Sequence, residues 1–363
     1  MRSSLSMLTV VLLFLVPPSD AEAESWCASP LDVHEWGVQA FDGAGTSVTP
    51  TLPSWFHRRA GAGNAAGPPA RSLPADGGER ALPVLHFYGR NSMSSPVPLG
   101  IEVGFRHGRA SHWYPQVDAL RTGRPSAAPQ LTWERLNLHP EATHTPHVST
   151  TPWVDELRGF DALWVNGARE SERFVFYEGS TREQVAIRIE RGPEWRADHR
   201  HLVLHNRSTH PVHDVFLTHR EGGRVYVIFA PTIPAGRSAG FVLESHQQSA
   251  GTVAAATRDR LRARIIDTAP PPAPDWANEC VMMRDPATPF RASEGHRLYP
   301  HEVDAVLNIW AGTFFDRPGT TVTYREDTAY LDHMMPLALY TDMMNFVRLR
   351  RLGLAVWTGV SLP

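Results

Sequence analysis

Lysine is absent from this chain: all 35 of its Lys+Arg residues are arginine. That absence excludes chemistry needing an ε-amino group, namely Schiff-base aldolases, pyridoxal-phosphate anchoring, the P-loop phosphate lysine, the kinase ATP lysine and Ser-Lys dyads. An excess of either charge is missing too. The formal net charge is -3, and nothing in the composition draws the chain to nucleic acid or to an anionic membrane. Long apolar runs are confined to the N-terminus. No later stretch reaches about 18 apolar residues, so the sequence contains no further candidate transmembrane helix.

The N-terminus reads as a signal peptide spanning residues 1–23. Arg2 supplies the positive start, Met7 to Val16 is an apolar run too short to span a bilayer, and Pro17-Pro18 breaks it. Ala21-Glu22-Ala23 fits the small-x-small cleavage rule, which places the mature start at Glu24. The expected location is therefore periplasmic or extracellular. Cysteine is scarce, with Cys27 and Cys280 the two present. In an oxidising envelope this pair is expected to form one disulfide, stabilising by about 4–5 kcal/mol in the chain-entropy model. Two free thiols are the alternative, because sequence spacing does not set Cα separation.

Downstream, the pattern is mainly β. A first strand covers Leu31 to Phe41, and residues 42–82, rich in Gly, Ala, Pro and Ser, read as a long loop or disordered insert. Alternating segments follow at Val84 to Tyr88, Leu131 to Leu138, Arg173 to Tyr177, Val185 to Glu190, Leu202 to Leu204, Val215 to Thr218, Val225 to Phe229 and Phe241 to Glu244. Leu99 to Phe105 and Ala110 to Tyr114 look like a hairpin turning at His107-Gly108, and Arg220 to Arg224 like a second hairpin turn. This predicts an antiparallel, sandwich-like β-rich domain over 24–250, with two small β domains meeting near Pro140 to Pro152 as the alternative. A helix over Thr252 to Ile266 and the stiff Ala269 to Pro274 form a linker region, 251–274. A smaller α+β unit then occupies 275–363. Its best helix is Pro300 to Phe315, and its last strand is Phe346 to Trp357. The basic cluster Arg348, Arg350 and Arg351 in that strand reads as a solvated face.

Several short blocks recur in a recognisable order: Val33-His34-Glu35-Trp36-Gly37, Pro83 to Tyr88, His112-Trp113-Tyr114-Pro115, Glu172 to Gly179, and Leu298-Tyr299-Pro300-His301-Glu302 running on through Trp310 to Phe315. In these the chain resembles a family of exported bacterial proteins with an N-terminal HEWG motif, of the myxobacterial and planctomycete type. The resemblance implies export and a shared β-rich fold, and it brings no activity with it. Val38 stands where that family has Thr, and Arg80 to Pro83 replaces a Lys-Met-Glu-Thr-Pro block, which puts any role of that Glu in doubt here. Arginine-only usage also fits the GC-rich genomes in which the family occurs.

With lysine gone, histidine, carboxylate and hydroxyl groups are left to carry chemistry, and histidine is abundant at 18 residues. Three places suit Cu or Zn. His34 precedes Glu35 on the opening strand. Neighbours on a strand face opposite ways, and Val38 ends any HExxH reading, so a hydrogen-bonding role within the fold is the plainer one. His139, His144 and His147 lie in a Pro- and Thr-rich loop beside Glu141. His199, His201 and His205 share strand parity, with Asp198 and Asp214 as possible carboxylate supports. The plainer alternatives are an exposed polar loop and a solvent-facing sheet. Methionine pairs at Met282-Met283, Met334-Met335 and Met343-Met344 suit core packing better than Cu(I). Gly236-Arg237-Ser238-Ala239-Gly240 spells GxSxG, but prolines precede it and a strand follows, so it reads as a β-turn and not as a nucleophile elbow.

Two functions follow from these readings. One is an exported envelope or surface protein that binds an envelope or surface ligand or serves structurally. The other is a Cu- or Zn-binding exported protein, an enzyme in one version, using the clustered histidines.

Overall fold

The computed structural model of the protein describes residues 29–45, 47–48, 51–59, 78–89, 96–121, 129–181, 184–193, 200–221, 224–243, 245–246, 250–268, 287–342, 345–360 and 362. Residues 1–23, read above as a signal peptide, lie outside the described residues, as do Cys27, Cys280, His199 and residues 269–274. Among the described residues strands make up 49% and helices 17%, which places the protein in the mainly β class with a smaller α+β part.

Among the described residues the strands form three sheets. The largest has eleven strands, ordered Ser245–His246, Arg224–Ile233, Val212–Glu221, Gly319–Glu326, Asn345–Val360, Ser29–Phe41, Gly78–Tyr88, Val175–Thr181, Arg109–Tyr114 and His57–Arg58, with Ser47–Val48 beside Ser29–Phe41. At its centre Ser29–Phe41 runs parallel to Asn345–Val360. A six-stranded sheet holds Ser171–Glu172, Trp164–Asn166, Leu131–His139, Val97–Val103 and Leu337–Thr341, with Ala119–Leu120 alongside. The third is a three-stranded sheet of Ile187–Arg191, Arg200–Asn206 and Ser238–Leu243. The strands of 287–360 are thus built into both larger sheets.

Strand alternation decides which layer packs where. Trp36, Val38 and Ala40, with Leu352, Leu354 and Val356, meet the helices Pro152–Arg158, Ala250–Ile265 and Pro300–Ile309. The opposite parity, Leu31 and Val33 with Val347 and Leu349, meets the six-stranded sheet. Farther along, Val215, Leu217, Val322 and Ala355 meet the three-stranded sheet through Ile187, Leu202 and Leu204. Helices therefore cover one face of the large sheet and the two small sheets cover the other. The arginines of Ala250–Ile265 fasten the helical layer: Arg262 pairs with Asp304, Arg264 with Asp214, and Arg258 bonds Asn308.

Several sequence expectations need correction. The hairpin at His107-Gly108 does not form: Val97–Val103 joins the six-stranded sheet and Arg109–Tyr114 the large one. Leu99, Ile101, Val103, Ala110 and Trp113 all enter one core, so these strands face each other across layers instead of lying side by side. Residues 42–82 include the short strands Ser47–Val48 and His57–Arg58 and the start of Gly78–Tyr88. The helix expected over Pro300 to Phe315 is two helices, Pro300–Ile309 and Ala311–Phe314, parted at Trp310. The arginine cluster is not a solvated face. Arg348 pairs with Asp32, Arg350 with Asp267, and Arg351 is fully buried between Glu35 and Asp332. Its charges are met by carboxylates from distant parts of the chain. The hairpin at Arg220 to Arg224 forms as expected, with Glu221 opposite Arg224.

A candidate cleft lined by arginine

The two polar residues of the HEWG block face opposite sides of their strand, as their adjacency requires. His34 meets Glu302 at 2.5 Å, and His86, its cross-strand partner, lies 3.6 Å from the other carboxylate oxygen; all three side chains are fully buried. Burial pushes the His86 imidazole down to about 4. Burial alone would raise the Glu302 carboxyl, but the imidazoles of His34, His86 and His301 outweigh it and hold the group below its ordinary value. Glu302 also accepts the Tyr299 backbone N–H, closing a capping box at the start of Pro300–Ile309. On the other face Glu35 bonds Tyr177 and Arg351. Each cluster ties strands of the large sheet to a helix, through Glu302 on Pro300–Ile309 and through Asp332 on Thr328–Met334.

The proposed metal-ligand histidines that are described are not gathered. His139 accepts the Glu141 backbone N–H through Nδ1, His144 bonds its neighbour Thr143, and His147 stacks on Trp55 at 5.0 Å. His201 and His205 share a face, as parity implies, but His201 sits over Gly192 and Gly240. A Cβ at Gly192 would come within 2.2 Å of the His201 ring. Both nitrogens of His205 are engaged, with Ser238 at 2.5 Å and Glu190 at 2.9 Å. Among the described residues no group of three or more His, Cys, Asp or Glu side chains is placed to hold a metal ion.

His205 instead belongs to a cleft of about 550 Å³ on the outer face of the three-stranded sheet. The inner face of that sheet buries Ile187, Ile189, Leu202 and Leu204, which by alternation turns Arg188, Glu190 and His205 outward. Register fixes their neighbours: His205 stands opposite Arg188 on one side and Ser238 on the other. The rim is a turn in which Arg237 N–H donates to Pro234 O at 3.1 Å and Gly236 adopts φ 63, a left-handed conformation that glycine takes without strain. The buried Asn206 ties the rim down: its N–H donates to Arg237 O, and its side-chain amide donates to the carbonyls of His210 and Ile233.

The charges in the cleft are unbalanced. Arg188 pairs with one Glu190 oxygen at 2.8 Å and His205 holds the other. The exposed guanidiniums of Arg207 and Arg237 also line the cleft, and among the described residues neither has a hydrogen-bond or ion-pair partner. One carboxylate thus faces three arginines. A second cleft of about 550 Å³ lies on the outer face of the six-stranded sheet and is acidic, with Glu102, Glu134 and Asp342 beside Tyr340.

Sequence reading placed His205 on one strand face and Ser238 within a β-turn, whereas Ser238 opens the strand Ser238–Leu243, and it missed Glu190, Arg207 and Arg237. The usable signal was the glycine turn flanked by arginine at Gly236-Arg237. The pairing of three strands from 187–191, 200–206 and 238–243 was not visible locally.

No family model and no curated protein matches the chain. Among solved structures it is similar in outline to the yeast delta-COP-I mu-homology domain complexed with a Dsl1 WxWxV peptide, at 8% identity over 91% of this chain and 95% of that one, with a TM-score of 0.29. The same domain without the peptide gives 9% identity, the same coverages and a TM-score of 0.28. Likenesses this slight carry no argument about function.

Proposed function

We propose that the protein is an exported binding protein of the HEWG type, and that its arginine-lined cleft takes an oxyanion group of an envelope or surface ligand. The observation that carries this reading is the pair of guanidiniums, Arg207 and Arg237, that have no partner among the described residues and lie in the cleft beside Arg188. A guanidinium presents a fixed fork of donors that matches carboxylate, phosphate or sulfate, and two such forks on one wall leave a positive field that an anion satisfies. Export is supported by the charged start, short apolar run and cleavage site of residues 1–23. The Cu or Zn reading has no comparable observation behind it among the described residues.

Titration calorimetry of the full mature chain with inorganic phosphate and with succinate, at low ionic strength, tests the proposal. Saturable binding of at least one of these is expected, weakened about tenfold or more in the Arg207→Gln, Arg237→Gln double variant. Absence of saturable binding by either anion, or equal binding by the double variant, overturns it.

A further inference from the structure

The same cleft contains a hydrogen-bonded chain of side chains that anion binding does not require. Ser238 Oγ lies 2.5 Å from His205 Nδ1, and His205 Nε2 lies 2.9 Å from Glu190 Oε2. Glu190 is in turn held at its other oxygen by Arg188, 2.8 Å away. A carboxylate only accepts, so Nε2 of the imidazole carries the proton and Nδ1 is left as the acceptor for the serine hydroxyl. That is the order of groups that activates a serine: nucleophile, base and a third group that orients the base. Backbone register holds the order in place. Ser238 and His205 are paired residues of adjacent strands, and Glu190 follows Arg188, the other partner of His205, by two residues on the same face.

We propose that Ser238 is a nucleophile activated by His205 and Glu190, and that the cleft hydrolyses esters bearing an anionic group. This rests on the anion-binding reading of the cleft. In the first step Ser238 Oγ bonds to the ester carbonyl carbon while its proton passes to His205 Nδ1. The carbonyl oxygen gains the negative charge, which the guanidinium of Arg237 or Arg207 meets. The leaving C–O bond then breaks, and the alcohol departs with the proton from His205. Water next attacks the acyl group on Ser238, giving its proton to His205, and the acid leaves as the serine hydroxyl is restored. The sum is ester plus water to acid plus alcohol.

The literal GxSxG spelling is not the reason. Residues 236–240 form a turn running into the strand Ser238–Leu243, without the strand-turn-helix elbow that supplies a backbone oxyanion hole. Here the arginines take the place of the backbone donors, which also explains the preference for anionic substrates.

Two measurements on the full mature chain test the inference. The first is labelling with a fluorophosphonate probe, located by peptide mass spectrometry. The second is hydrolysis of p-nitrophenyl hydrogen succinate across pH. Labelling at Ser238 is expected, lost in Ser238→Ala and slowed about tenfold or more in His205→Gln, with ester hydrolysis falling in parallel. Both substitutions lie on the exposed face, and circular dichroism checks that each variant keeps the parent fold. If Ser238 labels no faster than the exposed Ser54, or as fast in His205→Gln as in the parent, the nucleophile is overturned. Phosphate or succinate binding that persists in that case leaves the anion-binding cleft standing. Its absence removes that reading as well.

Discussion

Glu35 and Arg351 face each other across the parallel pair at the centre of the large sheet, 316 residues apart in sequence and both buried. Tyr177 donates its hydroxyl to the other Glu35 oxygen at 2.6 Å, and Asp332 takes a second guanidinium nitrogen at 2.9 Å. A buried pair of this kind adds little net stability compared with apolar residues of the same size, but removing one member strands the other charge.

Arg351→Ala is accordingly expected to lower stability by about 3–5 kcal/mol. The double variant Glu35→Leu, Arg351→Met should recover most of that loss, because neither charge is then left alone. Urea denaturation midpoints of the three proteins check the ordering. A double variant as unstable as Arg351→Ala contradicts it.

Acid should weaken the helix-side cluster. Folding holds His86 neutral down to about 4, against 6.5 for the free group. The unfolded chain therefore binds a proton that the folded one refuses between those values, and the His86 contribution to stability falls as pH drops from 6.5 to about 4. The whole effect is about 3 kcal/mol, at 1.36 kcal/mol per unit. Glu302, held below its ordinary 4.5, acts in the same direction at lower pH: its contribution is full above that value and lost as pH falls through the folded one. Stability measured from pH 7 to pH 4 should decline less steeply in His86→Leu than in the parent. Identical slopes would show that His86 titrates normally.

Gly179 closes the Glu172-to-Gly179 block at an irregularity in the ladder to Arg109–Tyr114. A Cβ there would meet the Phe105 ring at 2.5 Å and the Arg109 carbonyl at 2.7 Å. Gly179→Ala is expected to cost about 1–3 kcal/mol through overpacking. Phe105→Leu in the same chain relieves only the ring contact, so partial rescue is expected in thermal melts. Full stability in the single variant would mean that the backbone moves freely at this point.

Anion binding in the arginine cleft should respond to salt. The guanidiniums are exposed, and screening shortens their reach to about 8 Å at physiological ionic strength. Phosphate affinity is expected to fall steadily between low and physiological sodium chloride, and titration calorimetry at three salt concentrations reads it directly. An affinity indifferent to salt would point to apolar contacts instead.

How much of this was legible in the sequence depended on the range of the interaction. The hairpin ending at Glu221 and Arg224, the strand Leu131–His139 and the helix Ala250–Ile265 are local patterns, and composition and periodicity locate them within a few residues. The layer crossing between Val97–Val103 and Arg109–Tyr114 was misread, because alternation reports an apolar face without saying which sheet it will meet. The arginines at 348–351 were misread for a related reason. Their carboxylate partners lie at Asp32, Asp267, Glu35 and Asp332, and no window on the sequence contains them together. The candidate cleft follows the same rule. The outward face of His205 was readable from parity, whereas its contacts with Glu190 and Ser238 depend on the register of three separated strands.

The parallel pairing of Ser29–Phe41 with Asn345–Val360 also sets an order of assembly. During synthesis the first of these strands emerges long before its central neighbour exists. Until Asn345–Val360 arrives, the edges of Ser29–Phe41 and Gly319–Glu326 that it will cover stay open, and contacts of such long range are slow to form. Before that strand is made, the two halves of the large sheet that it joins cannot be linked through it. Open strand edges of this kind are where a chain is exposed to aggregation, and here they stay open until residues 345–360 have been made.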